Sequence, residues 1–250
     1  MSRVKDIRVK VIDSKTGNGF VKQQHYSGKV VQNSSLHFGA FLDGILHGVM
    51  SFGSPLDKRK VLPLVITREG KICEWNAMLE LNRMAFDHVL PRNSESRCIS
   101  IAIKLIKKSA KHIKWLLSFA DGCQCGDGAI YRASGFLLTA VKENNRLIRF
   151  NDGYITHGIN LCHRGSPKIS KLYNPKNLTE SALYKAGAFV YIKGYQLRYI
   201  YLIDKTCRLT VAELPFSKIA ERGAGMYLGE KIERGSRNST ASSSLEGEVC

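Results

Sequence analysis

Apolar positions in the first half of the chain alternate or cluster as expected for β-strands. Residues 36–42 and 45–52 are β-prone runs joined by Asp43-Gly44, a dipeptide that predicts a type I′ hairpin. Residues 78–86 alternate well enough for a strand, although a helix is the alternative, and the strand would carry Glu80, Asn82 and Arg83 on one face. The other elements predicted here are strands over residues 4–12 and 61–67, a break at Gly17-Asn18-Gly19, and a short helix over residues 20–25 that leads through His25-Tyr26-Ser27 to a turn at Gly28.

The second half begins with an amphipathic helical pattern over residues 98–111. Ser94 or Ser96 is its expected N-cap. Residues 113–120 predict a buried strand that ends at Asp121, and residues 129–136 predict a helix that ends with Gly135 as its C-cap. Further strands are predicted over residues 137–142, 147–150, 190–192 and 197–203, and residues 160–185 are polar and irregular.

This order of elements predicts the α/β (α+β) fold class in a single domain over residues 1–233. The tail over residues 234–250 is rich in Ser and almost without apolar residues. Such a segment buries too little surface to offset the entropy of ordering, so we expect it to be disordered.

The net charge indicates the class of partner. The 250 residues include 38 Lys and Arg against 21 Asp and Glu, a formal charge of +17. This excess favours nucleic acid, because each phosphate that a protein neutralises releases counterions; an anionic membrane surface is the second choice, and an unspecialised basic surface is the alternative. No run of about 18 apolar residues and no signal-peptide pattern occurs, so we expect a cytoplasmic protein. Five lysines are expected to bind nucleic acid: Lys104, Lys107, Lys108, Lys111 and Lys114. The alternative is that they form only the solvated face of a helix.

Seven cysteines are scattered along the chain, and an odd, scattered set does not predict a disulfide framework. A zinc site from Cys123, Cys125, Cys162 and His163 is one hypothesis. However, structural zinc sites usually space paired thiols by two to four residues. Reduced thiols without a metal are the favoured interpretation.

The start of the predicted long helix is a candidate phosphate site. Residues 93–97 would present backbone N–H groups and the helix dipole next to Arg92 and Arg97. An ordinary capped helix is the alternative.

Residues 78–150 resemble the core of the GNAT-type N-acyltransferase fold. The run from Tyr131 to Phe136, with Gly135 before the Phe, matches the end of the later helix in that fold. The resemblance implies a central mixed, splayed β-sheet flanked by helices. It also implies a donor bound at Ser94, Ser96, Arg97 and Ser100. Residues 93–97 lack the usual Gly-rich pyrophosphate signature, so the donor stays unknown, and an acyl-coenzyme A type is one candidate.

A narrower resemblance, from about residue 25 to about residue 205, is to the phage Mom family of DNA modification proteins. It implies conversion of adenine in phage DNA to N6-carbamoylmethyladenine, which blocks host restriction enzymes. The implied partners are double-stranded DNA and a small-molecule donor in the host cytoplasm, and a homodimer is left open. The motifs that carry it, in chain order, are His25-Tyr26-Ser27-Gly28, Gly48-Val49 with Phe52-Gly53, Glu80-Leu81-Asn82-Arg83, Ser94-Glu95-Ser96, Ser118-Phe119-Ala120-Asp121, Ile130-Tyr131 and Arg198-Tyr199-Ile200-Tyr201.

Five residues are the candidate catalytic groups, each with a structural alternative. Asp121 follows a predicted central strand and would accept the N6 hydrogens as a base, or would form an Asx turn. Tyr131 would donate a proton to a departing group, or would be an ordinary half-buried tyrosine. His25 would move a proton or would only pack, Tyr26 would stack on the base, as could Phe136, and Arg83 would bind an anion or form a salt bridge.

The same residues also suggest a metal. His25, Asp121 and Tyr131 offer nitrogen and oxygen ligands suited to iron. We expect them to converge on one cavity wide enough for a purine.

Two other functions stay open at this stage. One is an acetyl-CoA-dependent N-acetyltransferase that acts on a protein or RNA amine. The other is a DNA-binding protein of the same fold without catalysis.

Overall fold

The computed structural model describes residues 3–121, 126–158, 161, 179–227 and 230–231. The predicted zinc ligands Cys123, Cys125, Cys162 and His163 lie outside these residues, and so does the Ser-rich tail over residues 234–250. Within the described part, eight strands form one mixed sheet in the order β1-β2-β3-β5-β6-β9-β7-β8. These strands are β1 Arg8–Ile12, β2 Ser34–Leu42, β3 Ile45–Gly53, β5 Met78–Phe86, β6 Trp115–Asp121, β7 Leu137–Phe150, β8 Ile155–His157 and β9 Phe189–Leu202.

Six helices and two small strand pairs complete the described chain. The helices are α1 Ser14–Gln24, α2 Lys58–Val61, α3 Ser94–Ser109, α4 Ala129–Ala133, α5 Glu180–Lys185 and α6 Ser217–Glu221, with 3-10 turns at Arg3–Asp6 and Leu62–Leu64. The paired strands are β4 Val65–Ile66 with β10 Arg208–Leu209, and β11 Met226–Tyr227 with β12 Glu230–Lys231.

The sheet opens between β5 and β6, its parallel pair. These strands are paired from Met78 opposite Trp115 to Leu81 opposite Ser118, and the Ser118 hydroxyl donates to the Leu81 carbonyl at 3.0 Å. Beyond this point β5 continues along β3 to Phe86, while β6 continues along β9. The two arms of the sheet therefore diverge at the carboxyl ends of β5 and β6, where open α/β sheets hold their ligands.

Different helices cover the two faces of the sheet. Leu116 and Tyr199 pack in one core with the apolar side of α3. Their neighbours Leu117 and Ile200 pack in another core with Leu62, which follows α2. Because successive residues of a strand point to opposite faces, α3 and α2 lie on opposite faces of the sheet.

The predicted hairpin and the strand predicted over residues 78–86 are confirmed. Asp43 and Gly44 both have positive φ, 52° and 81°, between β2 and β3, which is the geometry of a type I′ turn. Residues 78–86 form strand β5, so the helical alternative is wrong. A mixed α/β fold with a splayed sheet flanked by helices is therefore also confirmed.

The predicted break at residues 17–19 is wrong. Helix α1 runs through this segment and begins after Asp13, whose carboxylate accepts from Thr16 N at 2.9 Å as an N-cap. Gly17 has a packing role instead, because a Cβ there would lie 3.0 Å from Nδ1 of the buried His37 on β2. The small residue allows the helix to approach the sheet closely.

Other predicted boundaries shift for local reasons. The N-cap of α3 is Asn93, with φ of 70°, rather than Ser94 or Ser96. Helix α4 ends with Ser134 as C-cap, and Gly135 follows with φ of 81°. Most of residues 61–67 is helical, and β4 covers the last part. The four short strands predicted after residue 136 merge into β7 and β9, because register shifts let the pairing continue across the polar residues.

Candidate functional site

A cavity of about 320 Å³ fills the opening between β5 and β6. All five candidate catalytic residues line it: His25, Tyr26, Arg83, Asp121 and Tyr131. They arrive from α1, β5, β6 and α4, which are far apart in sequence. The remaining lining residues are Glu80, Leu81, Asn82, Met84, Phe119, Ala120, Gly128, Ala129, Ile130 and Gln196.

His25 is a neutral side chain at the end of α1. Its backbone N–H caps the helix by donating to Val21 O at 3.0 Å. Ser27 N donates to its Nδ1 at 3.1 Å, so Nδ1 is the acceptor and Nε2 carries the proton. Burial, with the nearby charge of Arg83, lowers the pKa of His25 to about 4. At neutral pH this residue is therefore uncharged, and its Nε2–H is a hydrogen-bond donor.

Tyr26 is the aromatic side chain at the mouth of the cavity. Its ring is 54% exposed and its centroid lies 4.2 Å from that of His25, with the two planes 31° apart. This exposed face can stack on a planar ligand.

The Arg83 guanidinium is fixed beside the cavity by backbone carbonyls. Its Nε donates to Lys29 O at 2.9 Å and its Nη1 to Asn82 O at 2.7 Å. Burial lowers the pKa of Arg83, and the acidic neighbour Glu80 acts in the opposite direction. A fixed, partly desolvated cation of this kind is suited to stabilise negative charge.

Gly128 allows Tyr131 to reach the cavity. It caps α4 with φ of 73°, and a Cβ there would lie 2.5 Å from Cε2 of Tyr199. The Tyr199 hydroxyl donates to Asp127 O at 2.5 Å, which holds the start of the helix against β9. Tyr131, 8% exposed, then packs with its ring centroid 5.3 Å from that of Tyr199.

Phe136 does not have the stacking role that the sequence suggested. Its side chain is 1% exposed in the core beneath α3 and is not among the cavity residues. The following strand β7 begins at the next residue, Leu137, and draws Phe136 into the sheet core.

Asp121 is the last residue of β6 and lies opposite Gln196 of β9. It is partly buried, and its position at the carboxyl end of a central strand is the one the sequence predicted. From here its carboxylate can accept hydrogen bonds from an amine inside the cavity.

Glu80 is a functional candidate that the sequence analysis did not select, although it lies within one of the quoted motifs. Burial raises its pKa to about 7, and Arg83 limits this rise. A carboxyl group with such a pKa can exchange a proton near neutral pH. The signal was an acidic residue between the apolar residues Leu79 and Leu81 of β5, but its burial depends on distant strands.

A second cavity of about 340 Å³ adjoins the first. The two share a wall made by Glu80, Phe119 and Gln196. Pro55, Leu56, Asp57, Lys60, Val61, Lys142 and Arg198 complete the second cavity.

The residues predicted to bind the donor lie at the start of α3 and line neither of these two cavities. Their hydroxyl groups are used locally: Ser94 Oγ donates to Pro91 O, Ser96 Oγ to Asn93 O and Ser100 Oγ to Ser96 O. Arg97 Nε is buried without a hydrogen-bond partner. The donor-binding role of this segment stays a prediction.

The lysines predicted to bind DNA lie at the other end of α3. Lys104, Lys107, Lys108 and Lys111 are exposed, and Lys114 precedes β6 with its Nζ 3.9 Å from Asp204. The helix starts near the open end of the sheet and runs back along it, so its last turn is roughly 20 Å from its first.

The iron site at His25, Asp121 and Tyr131 stays a prediction. Across the described ranges, no group of three or more His, Cys, Asp and Glu side chains could hold a metal ion, and His25 Nδ1 is already bonded to Ser27. The described helices also include none that is long and apolar enough to cross a membrane.

Comparison with known proteins identifies the family. The model of the Mom protein family matches residues 6–218, a range that includes every residue lining the two cavities. The chain belongs to the Mom family. Its relative in Escherichia phage Mu, named methylcarbamoylase mom, is 31% identical over 190 residues, which are 76% of each protein.

Solved structures similar to this Mom family member are acyltransferases of low sequence identity. A Bacillus subtilis acetyltransferase in complex with CoA has a TM-score of 0.43 and 10% identity, covering 78% of this chain and 98% of that one. The N-acyl amino acid synthase FeeM from uncultured soil microbes has a TM-score of 0.43 and 13% identity, covering 80% and 92%.

Proposed function

We propose that this protein is a DNA modification enzyme that converts adenine to N6-carbamoylmethyladenine in phage DNA and so protects the DNA from host restriction. Membership of the Mom family supports this function, as does the name methylcarbamoylase given to the phage Mu relative. The observation that carries the proposal is that His25, Asp121 and Tyr131 surround one cavity.

The cavity suits an extruded base. Adenine N6 is paired inside the duplex, so an enzyme that acts on it must flip the nucleotide or use a frayed strand. A volume of about 320 Å³ lies in the range of small-molecule sites. Tyr26 stacks on the purine. The half-buried polar groups of the cavity form hydrogen bonds with the edge of the base.

Asp121 and Glu80 have different roles toward the N6 amino group. Its lone pair is delocalised into the ring, so the amine is a weak nucleophile. Asp121 accepts a hydrogen bond from N6 and orients it. As the new N–C bond forms, the N6 proton passes to the carboxylate of Glu80, whose raised pKa suits proton acceptance near pH 7.

Tyr131 and Arg83 act on the donor. The bond between the transferred carbon and the leaving group breaks as the N–C bond forms, and the electron pair stays with the leaving group. Tyr131 donates a hydrogen bond or proton to that group, and the Arg83 cation stabilises the charge that develops. The carbamoylmethyl group is attached through its methylene carbon, so the bond that breaks joins this carbon to the leaving group. If the leaving group is coenzyme A, its phosphates would lie at the first turn of α3, beside Arg97.

The test measures whether adenine is modified in DNA that has been exposed to the protein. Plasmid DNA is co-expressed with the protein, digested to nucleosides and analysed by mass spectrometry. We expect deoxyadenosine with the added mass of a carbamoylmethyl group, and much less of it with an Asp121→Ala variant of equal solubility, because alanine has no side-chain acceptor for N6. An adenine pool without modification, from wild-type protein shown to be folded, contradicts the proposal.

A further inference from the structure

The second cavity carries positive charge on the face of the sheet that holds α2. Arg198 and Ile200 are two residues apart on β9, so they point to the same face, and Ile200 packs in the core next to α2. Lys142 lies opposite Gln196 in the β7–β9 ladder and therefore diagonally from Arg198, at roughly 7–8 Å between backbones.

The Arg198 guanidinium is oriented by its neighbour on β7. Its Nε donates to Thr139 Oγ1 at 2.9 Å and its Nη2 to Thr139 O at 3.2 Å. Both bonds hold the planar group in one place, and the remaining N–H donors stay available for a bidentate contact. The residue is only partly exposed, so water compensates its charge incompletely.

Three acidic groups lie near this pair among the described residues: Asp57, Glu80 and Asp121, the last of which is diagonal to Arg198 across the β6–β9 ladder. Lys60 and Asp57, at the rim, neutralise each other at 2.7 Å. Glu80 lies in the shared wall. Over the described residues, no ion pair joins Lys142 or Arg198 to an acid. The two cations thus lie in a concave site without a direct ion pair among the described residues.

The position of this charge relative to the first cavity suggests its ligand. Among the described residues, Glu80, Phe119 and Gln196 line both spaces and lie between them. A nucleotide with its base in the first cavity has its phosphates one sugar away from that base. A phosphate group is also the anion that an arginine fork and a nearby lysine bind well.

We propose that Arg198 and Lys142 bind the phosphodiester backbone beside the extruded nucleotide, so that DNA docks on the α2 face of the sheet. The inference rests on the proposed function for the location of the base. It does not depend on the chemistry of transfer.

The test measures the affinity of the full-length protein for a fluorescent 20-base-pair duplex over a series of salt concentrations. Lys142→Gln removes one cation from an exposed side chain, and Lys185→Gln on α5 is the matched control at another exposed lysine. We expect Lys142→Gln to reduce the slope of log affinity against log salt by about 0.9, the value for one lost phosphate contact. The control keeps the wild-type slope.

Arg198→Lys serves as the second variant, because it keeps the charge but loses the fork. We expect it to weaken binding several-fold with the slope nearly unchanged. Thermal unfolding of each variant checks that the β7–β9 contact has survived. If neither Lys142→Gln nor Arg198→Lys changes affinity or slope, the site does not bind DNA.

A carboxylate or phosphate of the donor is the competing ligand, and binding of the duplex in the absence of any donor separates the two. Binding of DNA at this site predicts a weaker duplex affinity of Lys142→Gln under these conditions. Wild-type duplex affinity and salt slope in Lys142→Gln, together with less modified adenine in co-expressed plasmid, overturn the inference. Failure of the proposed function gives another result: wild-type protein leaves adenine unmodified, while the duplex-binding measurement still shows whether Lys142 contacts DNA.

Discussion

The two ends of the β5–β6 pair show how one strand pair can serve stability at one end and chemistry at the other. At the paired end, Met78 and Trp115 are 1% and 0% exposed and pack in the core next to α2. Toward the open end, Glu80, still within the ladder opposite Leu117, and Asp121, beyond the ladder, line a cavity instead. Polar side chains therefore occur around the end of the ladder, where the diverging strands leave room for a ligand.

The same comparison separates two basic regions. Arg198 and Lys142 lie beside the open end, on the α2 face. The lysines in the last turn of α3, Lys107 and Lys108, lie toward the paired end on the opposite face. Equal charge therefore does not imply an equal role, since only the first pair adjoins the site.

The largest expected effect is on folding at the paired end. Trp115→Ala removes a fully buried ring, and such truncations cost about 3–5 kcal/mol. We expect a loss of this size in urea unfolding. Trp115→Phe should cost less, because it also removes an indole N–H that is buried without a partner. A loss under about 1 kcal/mol for the alanine variant would show that this end is not the stable anchor of the pair.

The next effect is on chemistry at the open end. Glu80→Gln keeps the size of the side chain but cannot accept the N6 proton, and loss of a general base typically lowers rates about 100-fold or more. We expect the rate of adenine modification to fall by that factor, with DNA affinity unchanged. Asn82→Ala, at a neighbouring cavity position, controls for general disturbance of the wall. Glu80→Gln with full activity removes this residue from the mechanism.

The pH dependence tests the same residue in a different way. The pKa of Glu80 in the fold, about 7, lies above its ordinary value of 4.5, so folding favours the protonated form. The stability that Glu80 contributes is therefore complete below pH about 4.5 and is lost as pH rises through about 7. The rate of modification should rise over that range, because the base form is needed.

The difference between wild type and Glu80→Gln isolates this titration. His25, with a pKa lowered to about 4, acts on stability in the opposite direction: its contribution is lost as pH falls from 6.5 through 4. Subtracting the two unfolding curves cancels the histidine. A difference curve that is flat between pH 4.5 and 7 contradicts the raised pKa.

Local signals in the sequence predict much of the fold. The Asp43-Gly44 turn needs only its own backbone geometry, and the alternation of β5 is visible in nine consecutive residues. The predicted break at Gly17 was wrong. This glycine is needed for the close contact of α1 with His37, which belongs to another element, and not for a turn. Long strands such as β7 were predicted as two shorter strands, because the register shifts within them depend on the partner strand.

The site was predictable only as far as its residue types. Asp121 follows a recognisable strand, so its place at the end of the sheet could be inferred. The raised pKa of Glu80 comes from burial by the surrounding elements, and the pairing of Lys142 with Arg198 comes from a ladder that joins residues 56 positions apart. Neither arrangement has a local signature.

The smallest expected effect concerns the lysines of α3. Replacing Lys107 and Lys108 together by Gln removes two exposed charges, yet both lie roughly 20 Å along the helix from its start near the open end. Charges more than about 8 Å from the DNA are largely screened at physiological salt. We therefore expect less than a twofold change in duplex affinity, below that of Lys142→Gln alone. A larger loss for the double variant would mean that the duplex runs along α3, which returns the DNA interface to the helix that the sequence first indicated.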